Sequence, residues 1–324
     1  MNAFKQFAIF SAIVLILFSC VKIKNPFDDG NYFPTPVYPS PYDDPSWSAD
    51  GKTIVFYRMK VTHIGSIGDF SVDPDSTGLW AINADGSNMR LLLQGMYMGS
   101  PELSPDGAWL VYEEGGQIYK VPFVDGVVDT TNIVQLTTEG RNFFPAWSPD
   151  GKKIAYDSDV DDTKFDIWIM SYDGENKKNI SQENDSLDQG GWRKPSWCPD
   201  GNWIIHERYI SGGEIGTEIF VMDTCGTNAE WLEHGANPKY SQDGLRIAFD
   251  SNSQIFVMNS DGTDLTQVTT EGSSTHPSWS PDGRIVYVHF VSRKRDINNG
   301  TLWIMDADGS NSYQFTFNYG LVLD

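Results

Sequence analysis

The side chains of this 324-residue sequence best suited to chemistry are three cysteines, Cys20, Cys198 and Cys225, and five histidines, His63, His206, His234, His276 and His289. No two histidines stand at the i, i+2 or i, i+4 spacing of a local metal site. The acidic run from Asp157 to Asp166 crowds carboxylates as a calcium loop does but lacks that loop's glycine and final glutamate, so it reads as a solvated acidic loop. No G-x-S-x-G, P-loop or dinucleotide-binding glycine fingerprint occurs. The chain is therefore not expected to be an enzyme, and no metal ion or cofactor is expected. What remains suits recognition: Arg141, Asn142 and Phe143; Trp192, Arg193 and Lys194; Asn237; and His276. Arginines and aromatics anchor many protein interfaces, and a small cationic cluster in a chain of net charge −21 suits an anionic group. Phe143 and Trp192 equally suit packing between structural elements.

The elements that must hold these residues are repeated. Six segments, "PSWSADG", "PELSPDG", "PAWSPDG", "PSWCPDG", "PKYSQDG" and "PSWSPDG", place turn glycines at 51, 107, 151, 201, 244 and 283. The spacing, about 46 residues, is that of four-stranded propeller blades. After each turn come a strand such as "KIAYDS", a variable loop, a strand such as "IWIMS", a second turn such as "ADGS", and a strand such as "VQLT". In the first turn proline presets φ, aspartate accepts from nearby N–H groups, and glycine takes the φ > 0 conformation of a bulged hairpin. Apolar residues alternate with period two, and no amphipathic helix follows the N-terminal segment. Sheets that cannot bury their faces singly close into a ring, so the expected fold is all-β: a six-bladed β-propeller of four-stranded antiparallel blades over residues 45–324. His206 falls where other blades carry Phe56, Tyr112, Tyr156 and Phe249, and reads as a core substitute.

The repeated "P-x-W-S-P-D-G", followed by strands of the type "IAF" and "VMD", resembles the TolB-like β-propeller repeat family over residues 45–316. The resemblance implies protein partners, including peptide segments that enter the mouth of the channel. TolB carries an α/β domain before its propeller; here residues 20–44 read instead as a proline-rich extended tether. Residues 1–19 read as a signal peptide, with a lysine near the start and an apolar run from Phe7 to Phe18. That run is shorter than the roughly 20 apolar residues of a spanning anchor. Its end, "LFSC", resembles the lipobox of bacterial lipoproteins and implies a lipidated Cys20. Val21, where an aspartate would retain a lipoprotein at the inner membrane, points to the outer one.

Two thiols then remain in an exported chain, which suggests one bond. Cys198 replaces the serine of the first turn in blade four. Cys225 replaces the aspartate that the second turns carry at 85, 125, 173, 261 and 308, and both turns leave the same face of the ring. A Cys198–Cys225 disulfide is expected if the turns lean together, since first and third strands stand about 9–10 Å apart and bridged Cα atoms about 4.4–6.8 Å. The opposite face gathers the variable loops, where binding is expected. The whole reads as a monomeric, membrane-attached interaction module for envelope proteins or peptide segments. So acidic a surface excludes nucleic acid as a partner. A carbohydrate-binding protein or a metal-dependent polysaccharide lyase-like enzyme, using the same face, is the alternative.

Overall fold

The computed structural model describes residues 42–64, 70–161, 164–181, 191–210, 216–291, 300–318 and 322–323. Cys20, the signal segment and most of the tether lie outside the described residues. The chain forms six blades, and blade one shows the plan: Tyr42–Trp47, Thr53–Arg58, Gly78–Asn83 and Arg90–Gln94 pair antiparallel in that order from the axis outward. The inner strands of blades two to six are Met98–Leu103, Asn142–Trp147, Trp192–Trp197, Ala236–Tyr240 and Ser273–Trp279. Each inner strand touches the next, and that of blade six touches that of blade one, which closes the ring. Among the described residues no helix is long and apolar enough to cross a membrane.

The turn chemistry works as the repeats imply. In five blades the turn serine donates to the aspartate two residues on, as Ser48 Oγ does to Asp50 Oδ1 at 2.7 Å, and accepts from the first residue of the next strand, as from Thr53 N at 3.0 Å. These locks fix where the second strand begins, and hence which of its side chains face the neighbouring blade. The apolar residues form six clusters, each spanning two adjacent blades: Ile205 and Ile219 of blade four, for example, meet Ile247, Phe249 and Met258 of blade five. Blade-to-blade packing is thus the core. Two of the four repeated tryptophans bond back across the seam, Trp197 Nε1 to Ala146 O and Trp279 Nε1 to Lys239 O, both at 3.1 Å, whereas the buried Nε1 of Trp47 and of Trp147 has no partner.

Three features depart from the repeat. Blade two gains a fifth strand, because Val127–Val128 and Val134–Gln135 both pair with the outer edge of Gln117–Val124. The ring closes without a shared strand, with Tyr42, Ile54 and Phe56 of blade one against Val286, Val288 and Leu302 of blade six, and Tyr42 Oη donating to Phe317 O at 3.2 Å. The terminal Val322–Leu323 joins neither blade; it pairs in parallel with Val61–Ile64, part of the insertion after the second strand of blade one. The expected solvated loop at 157–166 is corrected at both ends: Asp157 and Asp166 are strand residues, 0% and 7% exposed. Asp166 accepts from Ser181 Oγ and Asn179 Nδ2, both at 2.8 Å, so it is fixed within its own blade.

Candidate functional site

Every inner strand carries a proline at its fourth or fifth position, or its third in blade five, and the residue before that proline is left-handed. Asp44, Ser100, Phe144, Lys194, Asn237 and His276 have φ between 46° and 54°. The pairing register slips at the same place in all six blades, so each is a β-bulge. Left-handed backbone costs a non-glycine residue about 1 kcal/mol or more, and bulges re-aim side chains. Here the six side chains converge on the axis, where with the following prolines they line a pocket of about 50 Å³. A space of that size holds one or a few water-sized groups. The ring therefore plugs the axis, and anything larger is met at the mouth.

A charge network holds the ring. Lys194 Nζ donates to Asn237 Oδ1 at 2.6 Å and lies 3.6 Å from Glu207 Oε1. Glu207 Oε2 accepts Asn237 N at 2.9 Å; Asp250 Oδ1 accepts Asn237 Nδ2 at 2.7 Å and His276 N at 3.1 Å. On the other side Asp44 Oδ2 accepts from both N and Oγ of Ser100 at 3.0 Å, and His276 faces Asp43 and Asp44. Burial opposes the Lys194 charge, but Glu207, Asp44 and Asp250 outweigh it and hold its pKa above the ordinary value. Burial pushes Glu113 up to about 8 and Asp157 to about 6, the latter against the pull of Arg193. It also raises Asp43 and Asp250, with His276 opposing in both cases.

Of the residues singled out in the sequence, Lys194, Asn237 and His276 belong to this ring. Arg141 is paired instead: its N and Nε donate to Asp159 at 2.6 Å. Arg193 Nε donates to Asp157 Oδ2 at 2.7 Å, with its guanidinium over Phe143, Phe144 and Phe165. With Lys194 also paired, the expected anion contact is corrected: each of these cations already faces a carboxylate. Asn142 is buried and bound to Glu139 O at 2.9 Å. Trp192 is 3% exposed and edge-on to His206 and Phe220, and half-buried Phe143 packs on Phe144 and Phe165.

The sequence reading missed Asp43 and Asp44, assigned to the tether although the inner strand starts at Tyr42, and also Ser100 and Phe144. The signal that finds them is the residue before each repeated proline. Cys198 and Cys225 are free thiols, which corrects the expected disulfide. The reason is local: Cys198 Sγ faces Gly244 of the next blade, while Cys225 is exposed two strands away.

On the opposite, turn-bearing face, a larger groove of about 710 Å³ runs between blades one and two. Asp50, Asp85, Asp106 and Asp125 line it, with Arg90 bound to Asn88 O and Gly126 O.

The profile of the TolB beta propeller domain matches residues 70–322. An uncharacterized protein of Agrobacterium fabrum is 25% identical over 286 residues, 78% of this chain and 86% of its own length. The Tol-Pal system protein TolB of Francisella tularensis is 29% identical over 113 residues, 32% of this chain and 25% of its own length. The solved structure of TolB from Acinetobacter baumannii shares the fold, with a TM-score of 0.61 at 22% identity over 80% of this chain and 62% of that one. The expectation that the chain is not an enzyme is corrected by a further relative, the uncharacterized peptidase YuxL of Bacillus subtilis. It is 25% identical over 196 residues, 57% of this chain and 28% of its own length. Repeats of this kind thus occur in a protein named as a peptidase, and a missing G-x-S-x-G gives no ground for excluding catalysis. With six blades in register and the domain profile covering most of the propeller, the chain belongs to the TolB beta propeller domain family.

Proposed function

We propose that the chain is a protein-interaction module of the bacterial envelope, tethered to a membrane through a lipidated Cys20 and meeting a protein or peptide segment at the mouth of its axial pocket. The observation that carries this reading is the convergence of six strained, pre-proline side chains on one axial pocket. Strained backbone held by a hydrogen-bonded network is characteristic of functional sites. Phe144 supplies an apolar anchor, and Asp44, Ser100, Lys194, Asn237 and His276 supply polar contacts around it, the pattern of an interface hot spot with a polar rim.

Membership of a family that includes the Tol-Pal system protein TolB supports an envelope location and a protein partner. The lipobox-like end of the signal supports attachment to the outer membrane, and a tether limits the module to that surface, raising its effective concentration toward partners there. A monomer that avoids nucleic acid is consistent with net charge −21.

The test is affinity capture from detergent-solubilised envelopes with the full chain and with Ser100→Arg/Phe144→Ala, which fills the mouth and removes the anchor. One protein recovered by the wild type and lost by the double variant, with unchanged circular dichroism, is the expected result. Equal recovery by both would remove the mouth from the reading.

A further inference from the structure

We infer that Asp43, Asp44 and His276 form a divalent-metal site on the rim of the axial pocket, suited to a transition ion such as Zn²⁺, Mn²⁺ or Co²⁺ rather than Ca²⁺ or Mg²⁺. The site shares Asp44 and His276 with the proposed partner contact but does not depend on it, and its test needs the chain alone.

One ligand atom from each residue lies within 4.8 Å of the others. His276 Nδ1 is 3.2 Å from Asp43 Oδ1, and Nε2 is 3.6 Å from Asp44 Oδ1. The Asp43 spacing is that of two donors sharing an ion at about 2.0–2.2 Å; Asp44 approaches the opposite ring nitrogen, and an ion takes only one of the two. The donors are also aimed before any ion arrives. Ser100 holds Asp44 Oδ2 through both N and Oγ, so Oδ1 is the oxygen turned toward the ring. Asp250 holds the backbone N of His276. The φ values of Asp44 and His276, 46° and 53°, fix both residues in bulges ahead of a proline. Partners that orient the ligands in this way are what tune metal sites.

Two further features narrow the ligand. The adjoining pocket of about 50 Å³, lined by Asp44 and His276, admits an ion with its water and little else. One imidazole with two carboxylates is a mixed nitrogen and oxygen set, which favours transition ions over the all-oxygen cages of calcium and magnesium. Three protein ligands leave coordination positions open toward the pocket for water. The competing account is an imidazolium clamped between two carboxylates with no ion.

The full chain, stripped with a chelator, is titrated at pH 7.5 with Co²⁺ followed by its visible ligand-field bands, and with Zn²⁺ by calorimetry. One equivalent per chain is expected, with no thiolate charge-transfer band. His276→Gln and Asp44→Asn should each weaken binding at least about 100-fold, and Ser100→Ala, which removes no ligand, about 10-fold. His234→Gln and Cys225→Ser, on exposed residues, should change nothing. If His276→Gln fails to fold, Ser100→Ala and Asp44→Asn carry the test. No stoichiometric uptake, or uptake that survives Asp44→Asn and Ser100→Ala unchanged, overturns the site in favour of the clamp or of adventitious surface binding.

Discussion

Arg193 Nε donates to one oxygen of Asp157 at 2.7 Å across the seam between blades three and four, while the other oxygen of that fully buried carboxylate has no hydrogen-bond partner. The pair is an ion bridge with one side unsatisfied, wrapped by Phe143, Phe144 and Phe165. Its position one residue before Lys194 couples blade packing to the axial ring.

Removing the cation strands the charge. Arg193→Met should cost about 3–5 kcal/mol in urea unfolding at pH 8, and Arg193→Met/Asp157→Asn clearly less, because the double variant leaves no buried anion. Burial holds the Asp157 carboxyl at about 6, above its ordinary 3.8. The folded chain therefore binds this proton more tightly than the unfolded one, and the group's contribution to stability, full below pH 4, is lost as pH rises through 6. The deficit of Arg193→Met should accordingly shrink on acidification; a deficit independent of pH would contradict the assignment.

His206 is 0% exposed, and both ring nitrogens lack a hydrogen-bond partner. Burial pushes its pKa down to about 3, so the ring is neutral and occupies a slot filled elsewhere by phenylalanine or tyrosine. His206→Phe should stabilise the chain by about 1–3 kcal/mol at pH 7, by removing unsatisfied polar atoms. The sign with pH is opposite to that of Asp157. A depressed histidine pKa gives stability present above 6.5 and lost as pH falls toward 3. Thermal melts between pH 4 and 7 should show a steeper acid loss in the wild type than in the variant.

Cys198 stands where five blades have the serine of the turn lock. Cys198→Ser should restore bonds to Asp200 and to Trp203 N and raise stability by about 0.5–1.5 kcal/mol, measured by denaturant midpoint. In the native state Cys225 should react promptly with a thiol reagent and Cys198 slowly, since burial pushes the Cys198 pKa up to about 11. Non-reducing mass spectrometry that found the two joined would refute the free-thiol assignment.

Cys20→Ser should move the chain from the membrane fraction to the soluble fraction of fractionated cells and abolish incorporation of labelled fatty acid. Retention in the membrane fraction without label would exclude the lipid as the anchor.

The six blades were legible because each repeat states its own local physics. Proline, aspartate and glycine dictate the turn, period-two alternation dictates the strand, and the tryptophan marks the blade seam. His206 was legible as a core residue for the same reason, by comparison with its equivalents. The candidate site was legible only in part. Lys194, Asn237 and His276 stood out as polar residues near the mouth, but Phe143 was chosen where the bulge turns Phe144 to the axis. Asp43 and Asp44 were lost in a proline-rich stretch whose last residues become strand.

By itself the sequence determined the number of blades, their turns and the residues that must be buried, since these follow from chemistry within about fifty residues of chain. Only the tertiary structure decided which side chains meet at the axis and how the ring closes. Both depend on contacts between residues far apart in sequence, such as His276 with Asp43 and Asp44, that no single repeat encodes. It also decided the fate of the cysteines. Whether two turns on one face lean together depends on blade twist and on what the next blade offers, and here the next blade sits against Cys198.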